Sequence, residues 1–210
     1  MAVLGKSFLS ENRTMEDMII HDYVELAKAS AACKALGLVV GQTQGSFDMK
    51  HVGHDRYFMA ARKHCDVLFI GVDSDEKIRS RKGPTRPVVS QDERLEQICH
   101  TRWVNVVTLK ELRYERHALQ KAVRPDVLII STQTKKGEQV PEYSEAEITE
   151  LKQYCKEVIV LDPQAPTSTT ARIRTVMLDL TAHLSDKLGK EVPNLVSRIT
   201  EDFLKPVKGD

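Results

Sequence analysis

Short apolar runs alternate along this chain with stretches of helical spacing, and few folds accommodate that alternation. Leu38 to Val40, Val67 to Val72, Val104 to Val107, Val127 to Ile130 and Val158 to Leu161 are rich in β-branched residues and too short to be helices. Between them, residues 54–64, 91–101, 111–123 and 144–155 carry helical patterns. Strands that alternate with helices are joined by right-handed crossovers, and such units build a parallel sheet covered on both faces. The chain is therefore expected to be α/β, a Rossmann-like parallel five-stranded sheet with helices on both faces.

Helical extensions are expected at both ends. Thr14 can cap a helix running to about Leu36, with Met18, Ile19, Tyr23, Leu26 and Ala27 on one face and Gly37 as its stop. After the last strand, Ile173, Val176, Met177, Leu180, Leu184 and Leu188 repeat at three- and four-residue spacing until Gly189. A second short helix is expected from Pro193 to Leu204. This divides the chain into an N-terminal extension, 1–36, a central domain, 37–178, and a C-terminal extension, 179–210.

Charge narrows the partners. Among 210 residues, 31 Lys and Arg stand against 30 Asp and Glu, and a formal charge of +1 argues against a general grip on nucleic acid or an anionic membrane. Cys33, Cys65, Cys99 and Cys155 form no C-x-x-C pair, so neither a zinc site nor a disulfide framework is read, and reduced thiols fit a cytoplasmic protein. No run of 18 apolar residues exists, so no membrane span is expected. The balance is nonetheless uneven: Lys77, Arg79, Arg81, Lys82 and Arg86 lie between residues 77 and 91 with no acidic residue after Lys77.

In an open parallel sheet, ligands sit at the carboxyl ends of the strands. The loop after the first strand reads Gly45-Ser46-Phe47-Asp48-Met49-Lys50-His51-Val52-Gly53-His54. Gly45 lets a phosphate approach the backbone, and Gly53 and His54 open a helix whose N-terminal amides favour anions. Two imidazoles three residues apart at a helix start can both point at one phosphate group.

These residues resemble the H-x-G-H signature of the nucleotidylyltransferases, and the longer G-x-F-D-x-x-H-x-G-H pattern resembles the cytidylyltransferase-like branch. Val72-Asp73-Ser74-Asp75, Lys82-Gly83, Arg86-Pro87-Val88 and Asp92-Glu93-Arg94 resemble its second strand, lysine loop and following helix. Arg102-Trp103-Val104 resembles the R-Y-V segment of glycerol-3-phosphate and phosphocholine cytidylyltransferases. Arg124-Pro125-Asp126-Val127-Leu128 resembles the adenylyltransferase domain that makes ADP-heptose. Ser168-Thr169-Thr170 resembles the I-S-T-T motif that opens the last helix. The resemblance implies that a phosphorylated small-molecule acceptor attacks the α-phosphorus of a nucleoside triphosphate and releases pyrophosphate. By that resemblance His51, His54 and Lys82 are the catalytic residues. Gly45, Ser46, Phe47, Asp48, Gly53, Arg102, Trp103, Ser168, Thr169, Thr170 and Arg172 or Arg174 hold the nucleotide, with Asp48 orienting the loop. Mg²⁺ is the expected counterion, carried largely by the triphosphate, with no protein-held metal site. A homodimer is implied as well.

Some segments depart from the family pattern. Ala171-Arg172-Ile173-Arg174 shifts the basic residue after S-T-T by one, Asp162 to Thr167 replaces the cytidylyltransferase R-T-E-G, and Ser131 to Gly137 replaces a glycine- and aspartate-containing loop. Arg102-Trp103 points to CTP, whereas Arg86-Pro87-Val88 and the missing R-T-E-G point to ATP. The expectation carried forward is CMP transfer from CTP to a sugar phosphate or sugar-alcohol phosphate, with ATP as the alternative. A nucleotide-binding protein without turnover is the competitor from another class. His64, His100 and His117 are read as surface or helix-end residues and Cys65 as packing.

Overall fold

The structure, a computed structural model, describes residues 13–135, 138–141, 143–164 and 169–204, with side chains described for 13–132, 143–164 and 175–201. The chain forms two compact units, Met1–Pro166 and Thr167–Asp210. In the first, β1 (Val40–Gly45), β2 (Val67–Asp73), β3 (Val106–Lys110), β4 (Val127–Lys135) and β6 (Glu157–Leu161) pair in parallel in the order β3-β2-β1-β4-β6. The five expected parallel strands are therefore present. An additional strand, β5 (Glu138–Pro141), folds back antiparallel on the end of β4, pairing Lys135 with Glu138.

Period-two burial explains why both faces of the sheet are covered. On β2, Leu68, Ile70 and Val72 point to one face and meet Phe58 and Ala61 of α3 (Val52–Arg62) and Leu95 and Ile98 of α5 (Gln91–Cys99). Val67 and Phe69 point to the other and meet Leu26, Ala29 and Cys33 of α2 (Tyr23–Ala35) and Leu119 and Val123 of α6 (Ala118–Val123). A third cluster packs Leu151 of α7 (Glu145–Leu151) on Leu128 and Ile130 of β4. Cys33, Cys65 and Cys99 are buried and unoxidised, and Cys65 packs in the first cluster as expected.

Several elements differ from the sequence expectation. The apolar run Leu38 to Val40 only enters β1, whose body is Gly41-Gln42-Thr43-Gln44. Two of its polar side chains find partners on helices, Thr43 bonding Tyr57 at 2.7 Å and Gln44 accepting from Gln120 at 3.0 Å, whereas the Gln42 amide is buried with no hydrogen-bond partner among the described residues. The single helix expected from Thr14 to Leu36 is two, α1 (Met15–Met18) and α2. Between them Ile19 and Ile20 are drawn to the β3 edge, where Ile20 N–H donates to the Val107 carbonyl at 2.9 Å, and Asp22 then caps α2. Covering that edge satisfies backbone groups that would otherwise invite another strand. Only the second half of 111–123 is helical, since His117 takes a left-handed φ of 64° just before α6.

One helix escaped the apolar pattern. α4 (Asp75–Lys82) buries only Ile78, but its ends are marked by Ser74, whose Oγ accepts from Lys77 N–H at 3.2 Å, by acidic residues in the first turn and basic ones in the last. In the second unit, the expected break at Gly189 is absent, and α8 (Thr169–Leu204) runs through both Gly189 and Pro193. A lone glycine weakens a helix by only about 1 kcal/mol, and the apolar repeat continues across it. Among the described residues no helix is long and apolar enough to cross a membrane.

Gly41 stands at a close approach between the sheet and Cys65. A Cβ there would lie 2.5 Å from Cys65 Sγ and 3.2 Å from Ile129 Cδ1. Gly41→Ala is expected to destabilise the first unit by about 1–3 kcal/mol, read as a lower urea midpoint at unchanged slope.

Candidate functional site

The carboxyl ends of β1 and β2 converge on the 46–51 loop. Phe47 and Met49 hold left-handed backbone, with φ of 49° and 52°, an uncommon state for large side chains. Phe47 is buried and sets its ring edge-on to His54, with centroids 5.6 Å apart. At Gly45 a Cβ would come within 3.0 Å of the Phe47 ring, so glycine is what lets the loop close on itself. Asp48 is fully engaged. Its carboxylate accepts from Val88 and Val89 N–H at 3.0 Å each and from Arg86 at 2.7 Å. Burial works to raise its pKa, but the Val89 and Val88 amides and the Arg86 guanidinium outweigh it and hold the carboxyl below its usual range. The expected orienting role fits this geometry.

His51 and His54 reach the same place by capping α3. His51 stands at the N-cap, where its Nδ1 accepts from Gly53 N–H at 3.0 Å, and His54 Nδ1 accepts from His51 N–H at 3.2 Å. An Nδ1 that accepts carries no hydrogen, so both rings hold theirs on Nε2. The rings lie 4.2 Å apart between centroids. Burial first, then the repulsion that protonating both His51 and His54 would create, then the Lys50 charge, lower the His54 pKa to about 4. His54 is therefore neutral at physiological pH and an Nε2–H donor.

Beside them lies the basic segment. Arg81 donates to Asp73 at 2.9 Å and to Ser46 Oγ at 2.8 Å, and Lys110 lies 3.4 Å from Asp73. Arg86 is engaged with Asp48, whereas Lys82 makes no ion pair among the described residues. Partial burial, then Arg81 and Arg86, lower the Lys82 pKa. An anion would relieve that repulsion.

Arg94 was expected only as part of a matching motif, and its position explains the site. Its side chain is completely buried. Nε donates to the Val89 carbonyl at 3.0 Å, one terminal nitrogen to the Ser46 and Asp73 carbonyls at 2.6 and 2.8 Å, and the other to Asp75 at 2.7 Å. It thus joins the β1 loop, the β2 end, the α4 start and the 86–89 segment. Four acceptors in four segments are invisible to a linear reading.

Arg102 and Trp103 are not brought to this site. They precede β3, at the amino edge of the sheet, about 17 Å of strand away from its carboxyl edge, and Trp103 packs against the core with Arg102 stacked on it at 4.8 Å. Gly45, Ser46, Phe47, Asp48, Gly53, His51, His54 and Lys82 do share one region. Thr169, Thr170, Arg172 and Arg174 open α8 in the second unit with side chains outside the described set, and Ser168 lies outside the described residues. The 131–137 loop begins instead as the extended end of β4.

A cleft of about 200 Å³ opens next to Gln44, lined by Tyr23, Lys77, Lys110, Tyr114 and His117. Tyr23 and Tyr114 stack with centroids 4.2 Å apart, and His117 is the helix-end residue expected, at the N-cap of α6, with its side chain turned inward and its Nε2 3.4 Å from Glu150. Tyr23 escaped notice because its spacing also fits an apolar helix face.

No cluster of three or more acidic, His or Cys ligands occurs among the described residues. The carboxylates nearest the loop, Asp48 and Asp73, are held by cations and amides. A cation bound to either of these carboxylates would have to displace those partners.

A parallel α/β sheet with paired imidazoles at the start of the helix after its first strand, and a basic segment beside them, defines a nucleotidyltransferase. The cytidylyltransferase-like family model matches residues 43–179, and the chain belongs to that family. It is 38% identical over 125 residues to the bifunctional protein HldE of Mesorhizobium japonicum, covering 60% of this chain and 25% of that one. Over 112 residues it is 35% identical to the HldE of Aliarcobacter butzleri, covering 52% and 23%. The chain thus spans about a quarter of the length of these relatives. The lipopolysaccharide core biosynthesis protein of Thermoplasma volcanium superposes with a TM-score of 0.51 at 21% identity, over 60% of this chain and 97% of that one, a likeness of fold.

Two outcomes are expected. Arg94→Lys removes the fork that reaches four acceptors and is expected to destabilise the first unit by about 3 kcal/mol or more, measured by denaturant unfolding. His54 gives a pH effect of defined sign. Its folded pKa of about 4 lies below the ordinary 6.5, so the unfolded chain takes the proton first and stability falls as pH drops from 6.5 towards 4. In His54→Gln that part of the acid loss is expected to disappear from unfolding curves compared across this range.

Proposed function

We propose that this chain transfers AMP from ATP to a phosphorylated sugar-type acceptor with release of pyrophosphate. The observation that carries the reading is the capping arrangement of His51 and His54, which fixes both rings as Nε2–H donors beside Lys82, a cation with no ion pair among the described residues. An oxygen of the acceptor phosphate forms a bond to the α-phosphorus while the bond to the bridging oxygen of pyrophosphate breaks. His51 and His54 donate to the triphosphate and to charge growing on that bridging oxygen, and Lys82 balances the phosphates. No side-chain nucleophile is required, since alignment and charge stabilisation supply the rate. Any Mg²⁺ arrives on the nucleotide.

ATP replaces CTP as the favoured base for two reasons. Arg102 and Trp103, which pointed to CTP, lie at the wrong edge of the sheet, and the HldE relatives resemble the adenylyltransferase alternative. The cleft beside Gln44 suits the acceptor: Lys77 and Lys110 offer charge for its phosphate, and Gln44, Tyr114 and His117 offer polar atoms for hydroxyl groups.

Pyrophosphate release, measured with ATP or CTP against heptose phosphates and other sugar phosphates, is expected to favour ATP. His54→Ala is expected to lower the rate about 10²–10³-fold with nucleotide binding retained. Nucleotide binding without release for any acceptor would instead support a non-catalytic binding protein, and a preference for CTP would restore the other base.

A further inference from the structure

One wall of the cleft beside Gln44 comes from a segment outside the family match. The match begins at residue 43, whereas Tyr23, the first residue of α2, lines the cleft. A short series of contacts puts it there. Ile20 N–H ties the chain to the β3 edge through the Val107 carbonyl at 2.9 Å, and Asp22 caps α2 by accepting from Val24 and Glu25 N–H at 2.7 and 3.0 Å. The Tyr23 hydroxyl then donates to the Leu109 carbonyl at 3.3 Å, and its ring lies on Tyr114 with the planes 13° from parallel.

Tyr114 belongs to residues 111–117, which join β3 to α6 without a strand or helix of their own. The backbone there makes turns, with Tyr114 N–H donating to the Glu111 carbonyl at 3.4 Å and Ala118 N–H to that of Glu115 at 3.2 Å. A segment of this kind takes its position from the side chains that hold it, and this one carries Tyr114 and His117 into the lining of the cleft. We propose that Tyr23 is a positioning residue for the acceptor: by stacking on Tyr114 it holds the 111–117 segment in place, so that a sugar phosphate meets a preformed wall and does not have to order one. The proposal rests on the reading of this cleft as the acceptor's place.

The two faces of the sheet separate this role from the nucleotide side. Tyr23 packs against the cluster that holds Leu26, Val106 and Leu119, on the face of α2 and α6. Phe47 and Phe58, which support the loop of His51 and His54, belong to the cluster on the opposite face, under α3 and α5. A change at Tyr23 therefore reaches the acceptor cleft and leaves the imidazole pair where it stands. Leucine at position 23 keeps an apolar side chain in the cluster and cannot stack, whereas phenylalanine stacks without the bond to Leu109.

Titration calorimetry of the full chain with heptose phosphates and other sugar phosphates tests this without requiring turnover. Tyr23→Leu is expected to raise the dissociation constant of the sugar phosphate that binds best, and its KM, about tenfold, with kcat at saturating acceptor and the affinity for ATP within about twofold of the natural chain. Tyr114→Leu, which removes the other half of the stack, is expected to show the same loss, and Tyr23→Phe to bind as the natural chain does. Retained ATP affinity also reports that each variant is folded. The role is overturned if either leucine variant binds the sugar phosphate as the natural chain does, if the loss extends equally to ATP, or if Tyr23→Phe loses as much as Tyr23→Leu. It is overturned too if the natural chain binds no sugar phosphate. Pyrophosphate release tests the transfer separately: binding that depends on Tyr23 but yields no pyrophosphate with ATP refutes the transfer and upholds Tyr23 as a determinant of sugar-phosphate binding.

Discussion

A single buried guanidinium organises the carboxyl edge of the sheet around the 46–51 loop. Arg94 arises from α5, yet its donors end on Ser46, Asp73, Asp75 and Val89, one acceptor in each of four segments. A charge taken out of water persists only when its hydrogen bonds are nearly all made. The same requirement works in reverse on the backbone: three carbonyls that would be left unsatisfied must stay where Arg94 can reach them. Loop position is thereby fixed by desolvation as much as by packing. Lysine cannot substitute for the planar fork that spans them.

A second layer of fixation uses groups with two duties. The Nδ1 atoms of His51 and His54 satisfy amides at the start of α3, and in doing so they determine which ring nitrogen keeps its hydrogen. Burial and nearby cations then keep His54 uncharged. Helix capping, tautomer and charge state thus follow from one local arrangement. Arg81, Ser46 and Asp73 perform a similar service on the other side of the loop, where an ion pair holds the β2 end against Ser46.

Much of this was legible in the residues, because the signals were local. The parallel strands follow from short β-branched runs, and the loop from glycine and histidine spacing. What escaped depended on distant partners. Thr43 and Gln44 of β1 are accommodated because Tyr57 and Gln120 come to them from elsewhere in the chain. The N-terminal helix breaks because Ile20 finds a backbone partner on β3, 87 positions later. Arg102 and Trp103 read as base-binding residues because a linear motif does not say which edge of a sheet it occupies. α4 was missed for the opposite reason, since its evidence lay in its caps while the apolar repeat was absent.

The state of the carboxylates has a consequence for substrate choice. Asp48 is bound by Arg86 and two amides, and Asp73 by Arg81 and Lys110. In the adjacent cleft, Glu111 pairs with Arg113, Glu115 with Lys121 and Glu147 with Arg116. An alcohol entering such a site would find no ready proton acceptor among these groups. A phosphate monoester carries its negative charge in from solution and needs none. On the reaction proposed above, such a site would sort acceptors by their own acidity: compounds already ionised near neutrality would react, while neutral hydroxyl compounds of the same shape would only occupy the space.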